Sequence, residues 1–258
     1  MSKRDDIDLR LVYSCNCGWI DKGHASIGKL FRKRDVDPHA GASNLWNQIK
    51  NESNATQDTI NGQPCFRIIY KQSMGRKVGA NSPFKVFALP DRSLFKVSTV
   101  GYYLVKKGLS IERKEEIALR IFLDISYNFE EMQASFPFFL ATNSGYSQED
   151  LVSNVIGFYA AVRNLSDNMI EQQLCKVVSK QASLDIWDKH FKEGGIGELK
   201  SKDHTKPVFY PCPECQGNPQ FPSMFTSIKR APYGSDFFRY KSDPTRPGIP
   251  LRNFDSQG

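Results

Sequence analysis

The feature that most limits the fold of this chain is the separation of its two hydrophobic patterns. Strand-like alternation lies in the middle, and helical spacing follows it. Cys65 to Lys71 alternates around Phe66, Ile68 and Tyr70, while Phe84 to Leu89 and Leu94 to Val105 are rich in β-branched and aromatic residues. Pro90-Asp91-Arg92-Ser93 between the last two has the composition of a hairpin turn. From Ser110 to about Gln133 the period changes. Ala118, Phe122, Ile125, Phe129 and Met132 share one helical face, Asp124, Asn128 and Glu131 share another, and Phe136-Pro137 ends the helix. Strands in one block and helices in the next predict an α+β fold. The expected architecture is a helix-rich domain with a small antiparallel sheet over 65–105 and an extended C-terminal tail.

Further elements follow from local signals. Residues 8–14 suggest a strand. Ile20, His24, Ile27 and Phe31 suggest a helix from about Gly18 to Lys33, with His24 on its apolar stripe and Asp21 one turn before it. Ser43 is placed to cap a short helix carrying Leu45, Trp46 and Ile49. Ser147-Gln148-Glu149-Asp150 is a helix start, with a hydroxyl at the cap and carboxylates in the first turn, where the dipole favours them. Leu151, Val155, Phe158 and Val162 form the apolar stripe of that helix. Asp150, Asn154, Gly157 and Ala161 form a narrow face that another element could approach closely. Ser166 opens a helix to about Lys180, and Ser183 another to Phe191. Residues 1–206 are expected to form one domain, and 207–258, rich in Pro, Gly and Ser, to pack on it as a tail anchored by Phe209, Phe221, Phe225, Phe237 and Phe238.

The net charge of +7 suggests an anionic partner: nucleic acid, an acidic membrane surface, or an anionic envelope polymer such as peptidoglycan. The basic residues are scattered, with no arginine-rich arm or aromatic-basic RNA motif, so nucleic acid is not expected. No stretch approaches the ~18 apolar residues of a membrane span. Met1 to Arg10 is charged and has no apolar core, so synthesis in the cytoplasm without a secretory signal is expected. Gly75 to Gly79 lacks phosphate-loop spacing.

Polar groups on otherwise apolar scaffolds concentrate in Cys15 to His24, Tyr127 to Gln133 and Ser144 to Asn154, taken together as one candidate site. Three hydrolytic readings stand side by side. In the first, Glu131, shielded at a helix end, is a general acid for glycan cleavage, with Glu149, Asp150 or Asp21 as the second carboxylate. In the second, a papain-like amidase or acyl (lipid) hydrolase, Cys17 before a helix N-terminus is an activated thiol with His24 or His39 as base; a variant keeps His24 and uses Ser144 or Ser147 as the nucleophile. In the third, His24, Asp21, Glu131 and Glu149 hold zinc, although no HExxH is present. Cys212-Pro213-Glu214-Cys215 is also half a zinc site, with Cys15-x-Cys17 as a tight second half; a disulfide formed after export is the competing use of these thiols. No other cofactor is expected. A non-catalytic envelope-binding module, with Trp19, Trp46 and Trp187 stacking on sugars, is the alternative to an enzyme.

Three segments resemble a poorly characterised family of bacterial envelope-associated proteins: Gly18-Trp19-Ile20-Asp21-Lys22-Gly23-His24, Ile125 to Glu131, and Ser144 to Gly157. The family pattern has an Asp-x-x-His helix, a helix ending in Glu, and a Ser-Phe-Ser-x-Glu-Asp-Leu-x-Ser-Asn helix. Glu130 stands where that pattern has a His, and family members carry an export signal that is not visible here. The resemblance implies an envelope target. With no export signal, it suggests an antibacterial effector delivered by a contractile (type VI) secretion system to the periplasm of a target cell, with an immunity protein as its partner in the producer.

Overall fold

The structure is a computed structural model that describes residues 3–25, 39–76, 95–134, 147–191 and 203–240. It is α+β. One antiparallel sheet runs in the order β3 (Ala55–Ile60), β4 (Gln63–Arg76), β5 (Phe95–Lys106), β6 (Phe237–Tyr240), and a separate hairpin pairs β1 (Leu11–Ser14) with β2 (Gly18–Asp21). The helices are α1 (Lys22–Ala25), α2 (Ala42–Lys50), α3 (Ile111–Ala134), α4 (Gln148–Val162) and α5 (Lys180–His190), with a π-helical segment at Met169–Cys175. Among the described residues, no helix is long and apolar enough to cross a membrane.

The sheet forms because β4 and β5 alternate. Phe66, Ile68, Tyr70, Tyr103 and Val105 are fully buried on one face. Cys65 pairs with Lys106 and the register holds without a slip to Arg76 opposite Phe95. The expected hairpin turn at 90–93 and the strand at 84–89 lie outside the described residues. Helix α3 lays Ala118, Phe122 and Ile125 on this face, and α4 adds Val155, Ile156 and Phe158; the Phe122 and Phe158 rings sit 5.2 Å apart. A second apolar cluster joins the hairpin to α5 through Tyr13, Trp19, Ile186 and Trp187.

Several elements differ from expectation for physical reasons. The helix expected from Gly18 is a strand, and only Lys22–Ala25 turns helically. Gly18 adopts φ +65°, which closes the turn after Ser14 and pairs Tyr13 with Trp19 and Val12 with Ile20. Ile20 and His24 match a helical period by coincidence of spacing; the continuation to Lys33 lies outside the described residues. Ser43 lies inside α2, whose N-cap is Gly41 at φ 84°. Ser183 likewise lies inside α5, whose cap is Ser179, its Oγ accepting from the Ala182 N–H at 3.1 Å. The segment after Ser166 widens into a π-helical turn and ends at Lys176, in the left-handed region at φ 57°. Strand β3 has no apolar alternation to mark it, because Ala55-Thr56-Gln57-Asp58-Thr59-Ile60 is mostly polar.

Within the described residues 207–240, the tail segment packs against the apolar core and also completes the sheet; 241–258 lie outside the described residues. Phe225 and Phe237 are buried, and β6 pairs Phe237 with Val105 and Phe238 with Leu104. Truncating a fully buried aromatic costs about 3–5 kcal/mol. Phe237→Ala is therefore expected to lower the thermal midpoint strongly and to free the 203–240 segment to proteolysis, whereas Phe238→Ala, on the half-buried face, has a smaller effect. Equal effects of the two would contradict this packing.

Candidate functional site

One face of α4 organises the site. Asp150, Ser153, Asn154 and Gly157 follow the i, i+3, i+4, i+7 spacing that aligns side chains along a helix, and all four touch the β2–α1 junction. A Cβ on Gly157 would lie 2.6 Å from the Ala25 carbonyl oxygen and 3.2 Å from that of His24. Only the missing side chain lets α1 lie this close, as the narrow face in the sequence suggested. The Asp21 N–H donates to Ser153 Oγ at 2.8 Å, and that hydroxyl donates to the Glu149 carbonyl at 2.5 Å. Asp21 Oδ1 accepts from the Gly23 N–H at 2.7 Å, an Asx-type turn that starts α1, and Oδ2 pairs with Arg10.

His24 lies against this face with both ring nitrogens engaged. Nδ1 is 3.3 Å from Asn154 Oδ1, and Nε2 is 3.4 Å from Asp150 Oδ1. Asp150 Oδ2 accepts from the Ser147 hydroxyl at 2.5 Å, so Ser147 orients the carboxylate instead of capping the helix backbone. On the far side, Asn154 Nδ2 donates to Ser126 Oγ at 3.1 Å, and Ser126 Oγ lies 3.3 Å from His204 Nε2. Because Nδ2 faces Ser126, Oδ1 is the atom that faces His24, and His24 Nδ1 is its proton donor. The Ser126 Oγ–His204 Nε2 hydrogen bond is the next link. His204 borders a cavity of about 570 Å³ lined also by Leu119, Leu123, Tyr127, Phe225 and Arg230. Its Nδ1 is buried and has no hydrogen-bond partner among the described residues.

The electrostatics follow from this wiring. Burial opposes a charge on His24, but Asp150, then Asp21 and Glu130, and the Asn154 hydrogen bond outweigh it and push its pKa up to about 9. His204 has the opposite fate: burial, aided by Arg230 and only partly offset by Asp203, pushes it down to about 4. Asp21, 1% exposed, is raised by burial and by Asp150, against His24 and Arg10.

Asp21, His24 and Asp150 each offer one ligand atom, and these atoms lie within 4.8 Å of one another. The group could bind a metal ion. Its chemistry fits: an imidazole and two carboxylates, with His24 Nδ1 and Asp150 Oδ2 fixed by outer partners, as ligands at metal sites are held. The side chain of His24 is 23% exposed, leaving an open side.

Of the residues singled out in the sequence, Asp21, His24, Asp150 and Ser147 come together, and Glu149 is buried beside them at the start of α4. Glu131 does not join them. It is exposed, and the shielded carboxylate at the end of α3 is Glu130, 0% exposed, whose field reaches His24. One residue is a 100° rotation on a helix, so the expected general acid turns to solvent and its neighbour turns inward. Cys17 is also corrected. It precedes a strand, it is fully buried, and burial beside Cys175 pushes its thiol up, the reverse of an activated thiolate. Cys215 is bonded to Cys15 as a disulfide, which removes both from the zinc half-sites and leaves Cys212 as a thiol. Trp19, Trp46 and Trp187 are 4%, 7% and 5% exposed, so they are core residues and not sugar platforms. His39 lies at the β4 edge, its carbonyl accepting from the Lys71 N–H, and Ser144 lies outside the described residues. Arg10, Ser126, Asn154 and His204 complete the site; of these only Asn154 carried a signal, its place on the narrow face.

No known protein family, curated protein or solved structure matches the chain.

Gly157→Ala is expected to cost about 1–3 kcal/mol and to displace His24 from Asp150, seen as a fall of the His24 pKa toward 6.5; an unchanged pKa would show that α1 does not depend on this contact. In chelator, stability is expected to peak near pH 6.5. The folded pKa of His24 is raised, so its contribution is complete below 6.5 and lost as pH rises through about 9. The folded pKa of His204 is lowered, so stability is lost as pH falls from 6.5 toward about 4. Each limb is worth up to roughly 3 kcal/mol. Denaturant titrations should show His24→Gln flattening the alkaline limb alone and His204→Gln the acid limb alone.

Proposed function

We propose that this chain is a peptidoglycan hydrolase with its catalytic centre at Asp21, His24 and Asp150, working with a single divalent cation, zinc being the fitting choice. The observation that carries this reading is the convergence of one imidazole and two carboxylates, each oriented from outside, around an open side. A cation held there would polarise the scissile carbonyl and acidify water at its open position. The chain's own residues do the rest. Asn154 holds His24 in the tautomer that presents Nε2. Ser147 turns Asp150 Oδ1 inward. Arg10 and the Gly23 N–H fix Asp21. Buried Glu130 adds negative charge that favours a cation over a vacant centre. This chemistry suits an amide bond of the stem peptide.

The envelope as target is supported by the resemblance of the three segments and by the net charge of +7 against an anionic polymer. On that basis the protein acts as an antibacterial effector in the periplasm of a target cell, after delivery by a contractile secretion system, and an immunity protein shields the producer. A second reading has one observation in its favour. Asp21 and Asp150 oxygens within 4.8 Å approach the ~5 Å carboxylate separation of retaining glycosidases.

Digestion of purified peptidoglycan, read by mass spectrometry, separates these. Zinc-loaded wild type is expected to release or shorten stem peptides. His24→Ala and Asp150→Asn should lose at least about 100-fold in rate, as loss of metal ligation or its support does, and Glu131→Gln should retain activity. Chelation should abolish the reaction and zinc restore it. Cut glycan strands insensitive to chelator would move the chemistry to the Asp21/Asp150 pair, and intact sacculi with loaded wild type would refute the proposal. Periplasm-directed expression should lyse cells only with an intact centre.

A further inference from the structure

Cys17 and Cys175 are 158 residues apart in sequence, yet their sulfurs lie 2.7 Å apart and both residues are 0% exposed. Two non-bonded sulfurs do not rest at that separation; a covalent bond of about 2.05 Å is the near alternative. The surrounding backbone holds the two segments together independently of the sulfurs. Asn16 N–H donates to the Cys175 carbonyl at 2.9 Å, and Cys15 N–H to that of Lys176 at 3.0 Å. Asn16 Nδ2 donates to the Leu174 carbonyl at 3.0 Å, and Val178 N–H to that of Tyr13 at 3.1 Å. Lys176 in the left-handed region turns the chain so that Cys175 faces the hairpin.

We propose that Cys17 and Cys175 are a second disulfide site, so that the Cys15-Asn16-Cys17 turn is cross-linked on both sides, to the tail through Cys15–Cys215 and to the end of the π-helical segment through Cys17–Cys175. The inference stands apart from the hydrolase reading. The reaction needs a disulfide donor, a dithiol oxidoreductase in its oxidised form or oxidised glutathione. One cysteine thiolate attacks the donor disulfide and displaces a donor thiolate. The second cysteine then attacks the mixed disulfide. The pair loses two electrons and two protons, and the donor becomes two thiols. Because both sulfurs are buried in the folded chain, the exchange takes place during folding, before the hairpin closes on Cys175. The finished protein belongs to an oxidising compartment. The turn lies four residues before Asp21, so the cross-links also brace the strand that delivers that carboxylate.

The test is disulfide mapping of the full chain secreted into a bacterial periplasm, alkylated in denaturant without reduction and cut with trypsin. Peptide 11–22 carries Cys15 and Cys17, peptide 164–176 carries Cys175, and peptide 203–229 carries Cys212 and Cys215. A three-peptide species joining all of them, with Cys65 and one cysteine of 203–229 alkylated, is the expected result. Peptide 164–176 recovered alone with Cys175 alkylated would overturn the proposal. In the double variant Cys15→Ser/Cys215→Ser, 11–22 should remain joined to 164–176 alone. Free Cys175 in that variant would equally overturn it, since Cys17 is the sulfur assigned to it.

Discussion

The site depends on one contact, the backbone of His24 and Ala25 resting on Gly157 of α4. A methyl group at 157 would overlap the Ala25 carbonyl, so the approach exists only because that position has no side chain. Everything polar is arranged around it. Three and seven residues earlier on the same face, Asn154 and Asp150 take the two nitrogens of His24, and Ser153 takes the Asp21 N–H. The short helical turn α1 is too brief to be stable alone. It is held by what α4 offers it and by the Asx-type turn at Asp21. The two sulfur links of the preceding hairpin, one present and one inferred, act on the same element from its other end.

A buried group of carboxylates around a single imidazole is costly unless its charges are compensated and its oxygens are satisfied. Here much of that compensation is visible: Arg10 on Asp21, Ser147 on Asp150, a raised His24 between them, and a chain of hydrogen bonds that hands the far side to neutral His204. Such an arrangement holds a proton when no cation is present and can exchange that proton for a cation when one is. On the proposed function, the open side of His24 is where a substrate or a water would enter. On this account the same wiring that stabilises the fold near neutral pH presets the ligands of a hydrolytic centre.

Much of the scaffold was legible in the sequence, and the reasons are local. Helices α3 and α4 carry long apolar stripes, Ser110 Oγ accepts from the Arg113 N–H at the start of α3, and β4 and β5 alternate cleanly, so their places were plain. The narrow face of α4 was legible because Gly157 lies in register with two polar residues. Elsewhere a pattern had two solutions. Ile20 and His24 fit a helical period, but Gly18 at positive φ folds Trp19 and Ile20 back against β1. Glu130 and Glu131 are adjacent, and only tertiary packing decides which of them turns inward. Arg10, Ser126 and His204 lie far apart in sequence and meet only through tertiary contacts, which no spacing rule can foresee.

The most direct test of the central claim is nitrogen NMR of the His24 ring with and without zinc at neutral pH. Without metal, both ring nitrogens should carry protons, because Asn154 and the carboxylates hold the imidazolium. On adding one equivalent of zinc, Nε2 should lose its proton and shift while Nδ1 stays protonated against Asn154. A ring that titrates near 6.5 like a solvated histidine and ignores zinc would contradict the account, because His24 would then be neither held by α4 nor part of a metal-binding centre.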